Sequence, residues 1–319
     1  MKIAIIHSIY KPQTRGGAEI VVETIVNGLQ KRGHEVFVIT AGYDNKIEEI
    51  DNIKVHQVKH FNLFNFFDLG KKPVWQRLIW HIIDMFNDVQ TWRVFKILNT
   101  EKPDLVITNS LKGIGYEIPK LLKLLKIRHV HIIHDMQLLH PSGLLPDKDN
   151  FSWFESIYWF FCRSLFGSPD LVVFPSLYIK NIYGRFKFFK NSKLEVIGNP
   201  LPPETKFEIR HQFKVGQKIT FAFVGQVEEY KGIIDLIKGI NDVGGDWQLL
   251  IAGEGAALRE AKKLSLDNKK IKFFGRLNSQ ELEQKIWSET DILINPSRVP
   301  ESFGMSVIEA YARGIPVLA

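Results

Sequence analysis

Short apolar runs alternate with helical patterns from one end of the chain to the other. "KIAIIHS" leads to a helical stretch at about Gly17–Lys31, followed by "EVFVITA" and "IKVHQV". A long helical stretch at 74–99 precedes "DLVITNS", a further helix and "HVHIIHD". These runs are continuous rather than alternating, the mark of parallel strands buried on both faces. Strands that alternate with helices predict a doubly wound α/β architecture.

"KPDLVITNS", "SPDLVVFPS" and "ETDILINPS" share one construction: an Asp, a buried strand, then a Ser at the strand's carboxyl end. The Asp is expected to close the preceding turn, and the Ser to face the crevice where α/β sheets bind ligands. Prolines and charges interrupt the rhythm at 198–218. The cycle then restarts with "ITFAFVG", "WQLLIAG", "IKFFG", "ILINPS" and "PVLA", with helices between. The expected organisation is a Rossmann-like domain over 1–200, a linker over 201–218 and a second Rossmann-like domain over 219–319. A cleft between two such domains is the default ligand site. The chain stops at Ala319 on a strand without its covering helix, so the second domain is expected to be truncated.

Composition adds a direction to this picture. Residues 1–200 carry 26 Lys and Arg against 19 Asp and Glu, whereas 201–319 carry 16 against 16. The whole excess of positive charge therefore lies in the first half, which favours an anionic partner such as an acidic membrane surface or a phosphorylated acceptor. A single cysteine, Cys162, excludes a disulfide framework. The amino terminus is too short in apolar residues for a signal peptide, and no run reaches the length of a membrane span. A cytoplasmic protein is expected, possible contact being with the inner face of a membrane.

The chemistry concentrates in "ESFGMSVIEA", residues 301–310. A helix is expected from near Phe303 to about Arg313, stopped by Gly314. Its free amides at 302–305, Ser302 and Phe303 among them, would form an anion site strengthened by the helix dipole, with Gly304 permitting close approach. Glu309 lies five residues beyond Gly304, ~7.5 Å along the axis. That is about the offset between a diphosphate and the ribose of one nucleotide, and a carboxylate there can accept both ribose hydroxyls. Glu301, ahead of the helix, is left to face a sugar.

"NPSRVPESFGMSVIEAYARGIPVLA" resembles the signature of retaining glycosyltransferases of the GT-B fold, glycosyltransferase family 4 (glycosyl transferases group 1). The likeness is specific over 292–319, moderate over 219–277 and weak in the first half except at two loops. In "FVGQVEEYKGIIDLI" it implies that Lys231 holds the donor diphosphate. The family's neighbouring Arg is Gln226 here, which brings no charge, so Arg276 and Arg298 become candidates to supply it. "YKPQTRGGAE" resembles the family's amino-terminal glycine loop, with Gly16 and Gly17 approaching sugar or acceptor. A plain strand-to-helix turn accounts for it equally well. "HIIHD" implies that His134 faces the donor sugar, and "VIGNPL" that Asn199 faces the cleft. Together these imply a metal-independent transfer from a nucleotide diphosphate sugar to a glycan or lipid-linked acceptor, of the kind used in bacterial-type cell-surface polysaccharide synthesis. No cofactor is implied beyond the donor itself. Glu301, His134 and Lys231 would act at the reacting sugar.

Other patterns carry less. "GEGAAL" misses the third glycine of a dinucleotide fingerprint, and "DKD" at 147–149 follows a loop, so it reads as a solvated turn. His129 and His131 share a strand face while His134 points away, which argues against a metal site. No nucleic-acid module is apparent. Residues 151–167 hold eight aromatics, read as core, whereas 180–193 interleave five basic with four aromatic residues and suit either a membrane interface or a solvated surface. Two rival functions remain. A nucleotide-sugar 2-epimerase would need acid–base groups and no acceptor. A non-catalytic nucleotide-sugar-binding protein would be consistent with Gln226.

Overall fold

Aliphatic and β-branched runs form the centres of two separate sheets in the structure, a computed structural model that describes residues 1–13, 16–144, 152–202, 205 and 216–319. Most of the expected linker, the "DKD" turn, and Thr14 and Arg15 of the glycine loop lie outside the described residues. The chain divides into two compact units, Met1–Pro200 and Leu201–Ala319.

The first unit runs β1 (Lys2–Ile6), α1 (Gly17–Lys31), β2 (Glu35–Gly42), β3 (Lys46–Ile50), β4 (Ile53–Lys59), α2 (Val74–Met85), α3 (Asp88–Glu101), β5 (Leu105–Thr108), α4 (Ile118–Leu124), β6 (Arg128–Ile132), α5 (Trp153–Phe166), β7 (Leu171–Phe174), α6 (Leu177–Arg185) and β8 (Lys193–Val196). Its strands lie in the order β3-β4-β2-β1-β5-β6-β7-β8. All neighbours are parallel except β3, which pairs antiparallel with β4 at the edge. The second unit runs β9 (Ile219–Val224), α7 (Ile233–Asn241), β10 (Trp247–Ala252), α8 (Leu258–Leu264), β11 (Ile271–Gly275), α9 (Ser279–Leu282), β12 (Ile292–Ile294), α10 (Met305–Ala312) and β13 (Val317–Leu318). Its sheet order is β11-β10-β9-β12-β13, all parallel. Both sheets are doubly wound, with apolar clusters on their two faces.

The shared Asp–strand–Ser construction acquires a more specific meaning. Asp104, Asp170 and Asp291 each accept the backbone N–H of the first or second residue of an adjacent strand, from Lys2 (2.7 Å), His129 (2.8 Å) and Thr220 (2.7 Å). Each carboxylate thus satisfies a donor at the amino end of a sheet, stitching neighbouring strands as well as ending a turn. Of the three serines, Ser176 caps α6 and Ser297 donates to Val299 O, both local roles.

The expected helix over 74–99 is two helices. Asn87 breaks it: its Oδ1 accepts the Gln90 N–H at 3.1 Å and its Nδ2 donates to Phe61 O at 2.7 Å, so it caps α3 rather than continuing α2. The aromatic pattern at 180–193 is corrected as well. Tyr183, Phe188 and Phe189 are buried in the first unit's core, so the basic residues of this segment do not share a face with an exposed aromatic surface. Residues 152–167 fill the core only in part, because Tyr158, Cys162, Leu165 and Phe166 point inward while the opposite side of α5 is exposed.

Candidate functional site

Each sheet reverses its strand order at one point, and a doubly wound sheet opens a crevice at the carboxyl ends of the strands there. In the second unit that point lies between β9 and β12, and the sequence-predicted donor residues gather in the loops that follow these strands. After β9 the chain makes a tight turn ending at Lys231 and Gly232. Gly232 has φ +71°, and a Cβ there would lie 1.8 Å from Pro296 O in the loop after β12. Only glycine lets the two loops meet. The Arg298 N–H also donates to Tyr230 O at 2.9 Å. Held this way, Lys231 Nζ reaches Glu301 Oε1 at 2.5 Å, with both side chains about three-quarters buried.

The glycines of "GEGAAL" serve the same junction. A Cβ on Gly253 would lie 1.8 Å from Gly225 O, and one on Gly255 would lie 2.3 Å from Val227 O. Glu228 accepts the Ala256 N–H at 3.0 Å, tying the loops after β9 and β10 together. The near-miss dinucleotide pattern is therefore a packing feature between loops.

The helix start is later than expected. Gly304 is the cap, in the left-handed region at φ 75°, and α10 begins at Met305. Val307 and Ile308 both donate back to Gly304 O, which leaves the amides of Met305 and Ser306 at the open end. Ser302 and Phe303 sit in the preceding bend, so the helix starts two residues later than expected and the open amides are those of Met305 and Ser306 rather than those of 302–305. The stop at Gly314 is as expected, with φ 68° and its N–H on Tyr311 O. Glu309 is half-buried on α10, and burial pushes its carboxyl up to about 7, partly opposed by Arg313. Arg313 donates to Glu309 O and pairs with Glu283 at 2.8 Å over the ring of Trp287. Neither Arg313 nor Glu283 stood out in the sequence, because their partnership spans a helix and a turn distant along the chain.

The positive candidates separate. Arg298 is clamped by Asp235 at 2.5 and 2.6 Å and by Glu229 at 3.2 Å. Its guanidinium is committed to structure, holding the loop after β12 to α7. Gln226 is exposed and accepts the Tyr230 hydroxyl at 2.7 Å. Arg276 is exposed just beyond β11.

The first unit's sheet reverses between β1 and β5, and a polar cluster sits there. His134 lies just beyond β6, not on it, and its Nε2 donates to Asn109 Oδ1 at 2.9 Å. That bond fixes the neutral tautomer and leaves Nδ1 as a buried acceptor with no partner among the described residues. Burial pushes His134 down to about 4. Beside it, edge-on with ring centroids 6.1 Å apart, His7 is buried with both ring nitrogens lacking partners among the described residues. Burial, and His134 beside it, push His7 down to about 3. His7 lies just beyond β1 and was missed by sequence reasoning; its position directly after the carboxyl end of the central strand was the available signal. Ser8 and Ser110 hydroxyls meet at 2.9 Å, and Ser110 donates to Gln137 at 2.8 Å. A cavity of about 20 Å³ behind His134, lined by Asn109, His131, Asp135 and Tyr183, has room for one water rather than a sugar.

His129 and His131 both hydrogen-bond Thr108 Oγ1, at 2.6 and 2.8 Å, and are packing residues. Gly16 caps α1, its N–H bonded to Glu19 at 2.7 Å, and Gly17 is the first helical residue. Asn199 is half-buried in the segment that leaves β8.

Residues 15–205 match the family described as Glycosyltransferase Family 4, and residues 204–319 match Glycosyl transferases group 1. An uncharacterized 42.6 kDa protein in the cps region of Klebsiella pneumoniae is 27% identical over all of this chain and 84% of its own length. The lipopolysaccharide 1,6-galactosyltransferase of Escherichia coli K12 is 28% identical over 40% of this chain and 36% of its own. HepE of Anabaena, solved in complex with UDP and glucose, superposes with a TM-score of 0.64 at 18% identity, over 100% of this chain and 80% of that one.

Proposed function

We infer, from the premise that this chain belongs to glycosyltransferase family 4 and is a glycosyltransferase of the GT-B fold, that it transfers a sugar from a nucleotide diphosphate sugar to a hydroxyl of a glycan or lipid-linked acceptor. The transfer proceeds with retention, without a metal ion, and serves cell-surface polysaccharide synthesis. The observation that carries the reading is the convergence at the switch point of the second sheet: Lys231, Glu301 and the open amides of Met305 and Ser306.

In this reading the diphosphate lies at the start of α10. Lys231 and the amides stabilise the negative charge that develops as the diphosphate departs. Glu309 accepts the ribose hydroxyls, and its raised carboxyl is drawn into the charged form by those two donors. Glu301 positions the sugar from the second unit, whereas His134 Nδ1 is buried in the first unit beside a cavity with room for one water, so the sugar role that the resemblance implied for His134 is not carried into this reading. Arg298, held by Asp235 and Glu229, and Arg276, exposed just beyond β11, stay the two candidates for the charge that Gln226 lacks. The acceptor class rests on the relatives: one lies in a cps region and another builds lipopolysaccharide. A uridine donor rests on a structural neighbour solved with UDP and glucose.

A thermal-shift screen against nucleoside diphosphates and their sugars tests the donor. One base should raise the melting temperature, and Glu309→Ala should abolish that rise. Product analysis with donor alone must show neither epimerisation nor more than slow hydrolysis. Equal stabilisation of the Glu309→Ala variant contradicts the ribose contact, and epimerised sugar without acceptor contradicts the transferase reading.

A further inference from the structure

Arg313 closes α10, the helix that carries Glu309, and is only 6% exposed. In a regular helix its backbone N–H would donate to Glu309 O, four residues back. Here that N–H turns to Ala310 O at 2.9 Å. The side chain folds back along the helix and takes the vacated place, with Nη1 donating to Glu309 O at 2.8 Å. A guanidinium therefore holds the carbonyl of the residue that carries the ribose carboxylate. It does so in the last turn, where helix carbonyls otherwise lack partners and the backbone frays.

The guanidinium is itself fixed from the other side. Its Nε and Nη2 both donate to Glu283 Oε2, at 2.9 and 2.8 Å. Its central carbon lies 5.1 Å from the centroid of the Trp287 ring. Glu283 and Trp287 are the two ends of one π-helical turn, a rare form that recurs at functional sites. Trp287 is 1% exposed and shares an apolar cluster with Ala310, the neighbour of Glu309 on α10. The planar fork of an arginine has a donor for each polar contact, two for Glu283 and one for Glu309 O, which an ammonium on a flexible stem does not supply in one geometry. Arg313 is also the charge that opposes the effect of burial on the Glu309 carboxyl. We propose, on the assignment of the ribose hydroxyls to Glu309, that Arg313 is a positioning residue for the nucleotide: it anchors the turn from which the Glu309 carboxylate reaches the ribose, with Glu283 and Trp287 as its supports.

Discrimination between ribose and deoxyribose tests it. Calorimetry on the full chain gives affinities for UDP against 2′-deoxy-UDP and for GDP against 2′-deoxy-GDP. Wild type should bind the ribose form of one pair about tenfold or more tighter than its deoxy form, the scale of a hydrogen bond to a charged group. Glu309→Gln should shrink that ratio to about threefold or less. Arg313→Met, which keeps the length over Trp287 and removes every donor, should shrink it likewise. Arg313→Lys keeps the charge beside Glu283 without the fork, should lower the ratio by about threefold or more, and carries the test if the Met variant does not fold. Tyr311→Ala, at a 59% exposed position on the same helix, should leave the ratio within about twofold of wild type. Thermal melts establish which variants are folded; a merely structural role for Arg313 would lower stability and leave the ratio of a folded variant unchanged. Wild type that binds neither pair, or binds both members of each pair equally, overturns the ribose assignment and this proposal with it. Discrimination in wild type that Glu309→Gln removes and folded Arg313 variants retain would overturn the role of Arg313 alone.

Discussion

Lys231 Nζ and Glu301 Oε1 stand 2.5 Å apart, joining the loops that follow β9 and β12. The two groups come from positions 70 residues apart, and the pair forms because Gly232 lets one loop pass against Pro296 O. An anionic donor at this point competes with Glu301 for the lysine. Lys231→Ala is therefore expected to lower kcat/KM by about 100-fold or more, by removing charge stabilisation from the departing diphosphate. The stability cost should stay within about 1 kcal/mol, the usual scale of a partly solvated pair. Steady-state kinetics and thermal melts together check this; a large loss of stability with unchanged turnover would make the pair structural only.

Gly232→Ala tests the geometry beneath that pair. The new methyl would lie 1.8 Å from Pro296 O, at a φ of +71° that disfavours any side chain. A loss of about 3 kcal/mol or more in the second unit is expected, with donor binding lost even where the chain stays folded. Denaturant titration with and without nucleotide reads both effects. A neutral substitution would mean that the loops do not approach as closely as described.

Glu309 gives a pH dependence with a definite sign. Its carboxyl is raised from an ordinary 4.5 to about 7 by burial. The native state therefore holds a proton that the unfolded state has released, and stability declines as pH rises from about 4.5 through about 7. Glu309→Gln removes that penalty and should stabilise the free protein by about 1–2 kcal/mol at pH 8, with no gain near pH 4. The same variant should lose nucleotide affinity. Parallel stability curves for both proteins across this range would contradict the assignment.

Histidines of the first unit act in the opposite direction. Burial pushes His7 and His81 down to about 3, His129 and His134 to about 4, and His131 well below its ordinary 6.5. The unfolded chain takes up these protons below 6.5 while the native chain refuses them. Stability contributed by these rings is complete above about 6.5 and is lost as pH falls from there toward 4. Melting temperature should drop steeply from pH 6.5 to 5, and His7→Phe should make the drop shallower. A flat profile would show these rings to be accessible to protons.

Legibility of the fold followed the strength of local signals. Continuous runs such as "EVFVITA" and "WQLLIAG" became β2 and β10 because buried parallel strands must be apolar on both faces. Strand β3, "KIEEI", escaped notice because an exposed antiparallel edge strand can carry charges and needs no apolar run. The break at Asn87 was hidden because the Phe61 carbonyl that orients its side chain lies 26 residues away. At the candidate site, the short stretch 301–314 carried its own pattern, with Glu301, Glu309 and Gly314 at fixed spacing. The engagement of Arg298 did not, since Asp235 sits 63 residues earlier. Trp75, Ile79, Ile82 and Phe86 follow a 4-3-4 spacing and are exposed along α2 and its cap, but spacing alone cannot tell a face that packs inward from one that faces solvent.

A crystal of this chain soaked with UDP or GDP tests the central assignment most directly. The diphosphate is expected against the Met305 and Ser306 amides, Lys231 turned from Glu301 onto the phosphate, and the ribose hydroxyls on the Glu309 carboxylate. A nucleotide bound elsewhere, or an empty α10 terminus at saturating concentration, would contradict it.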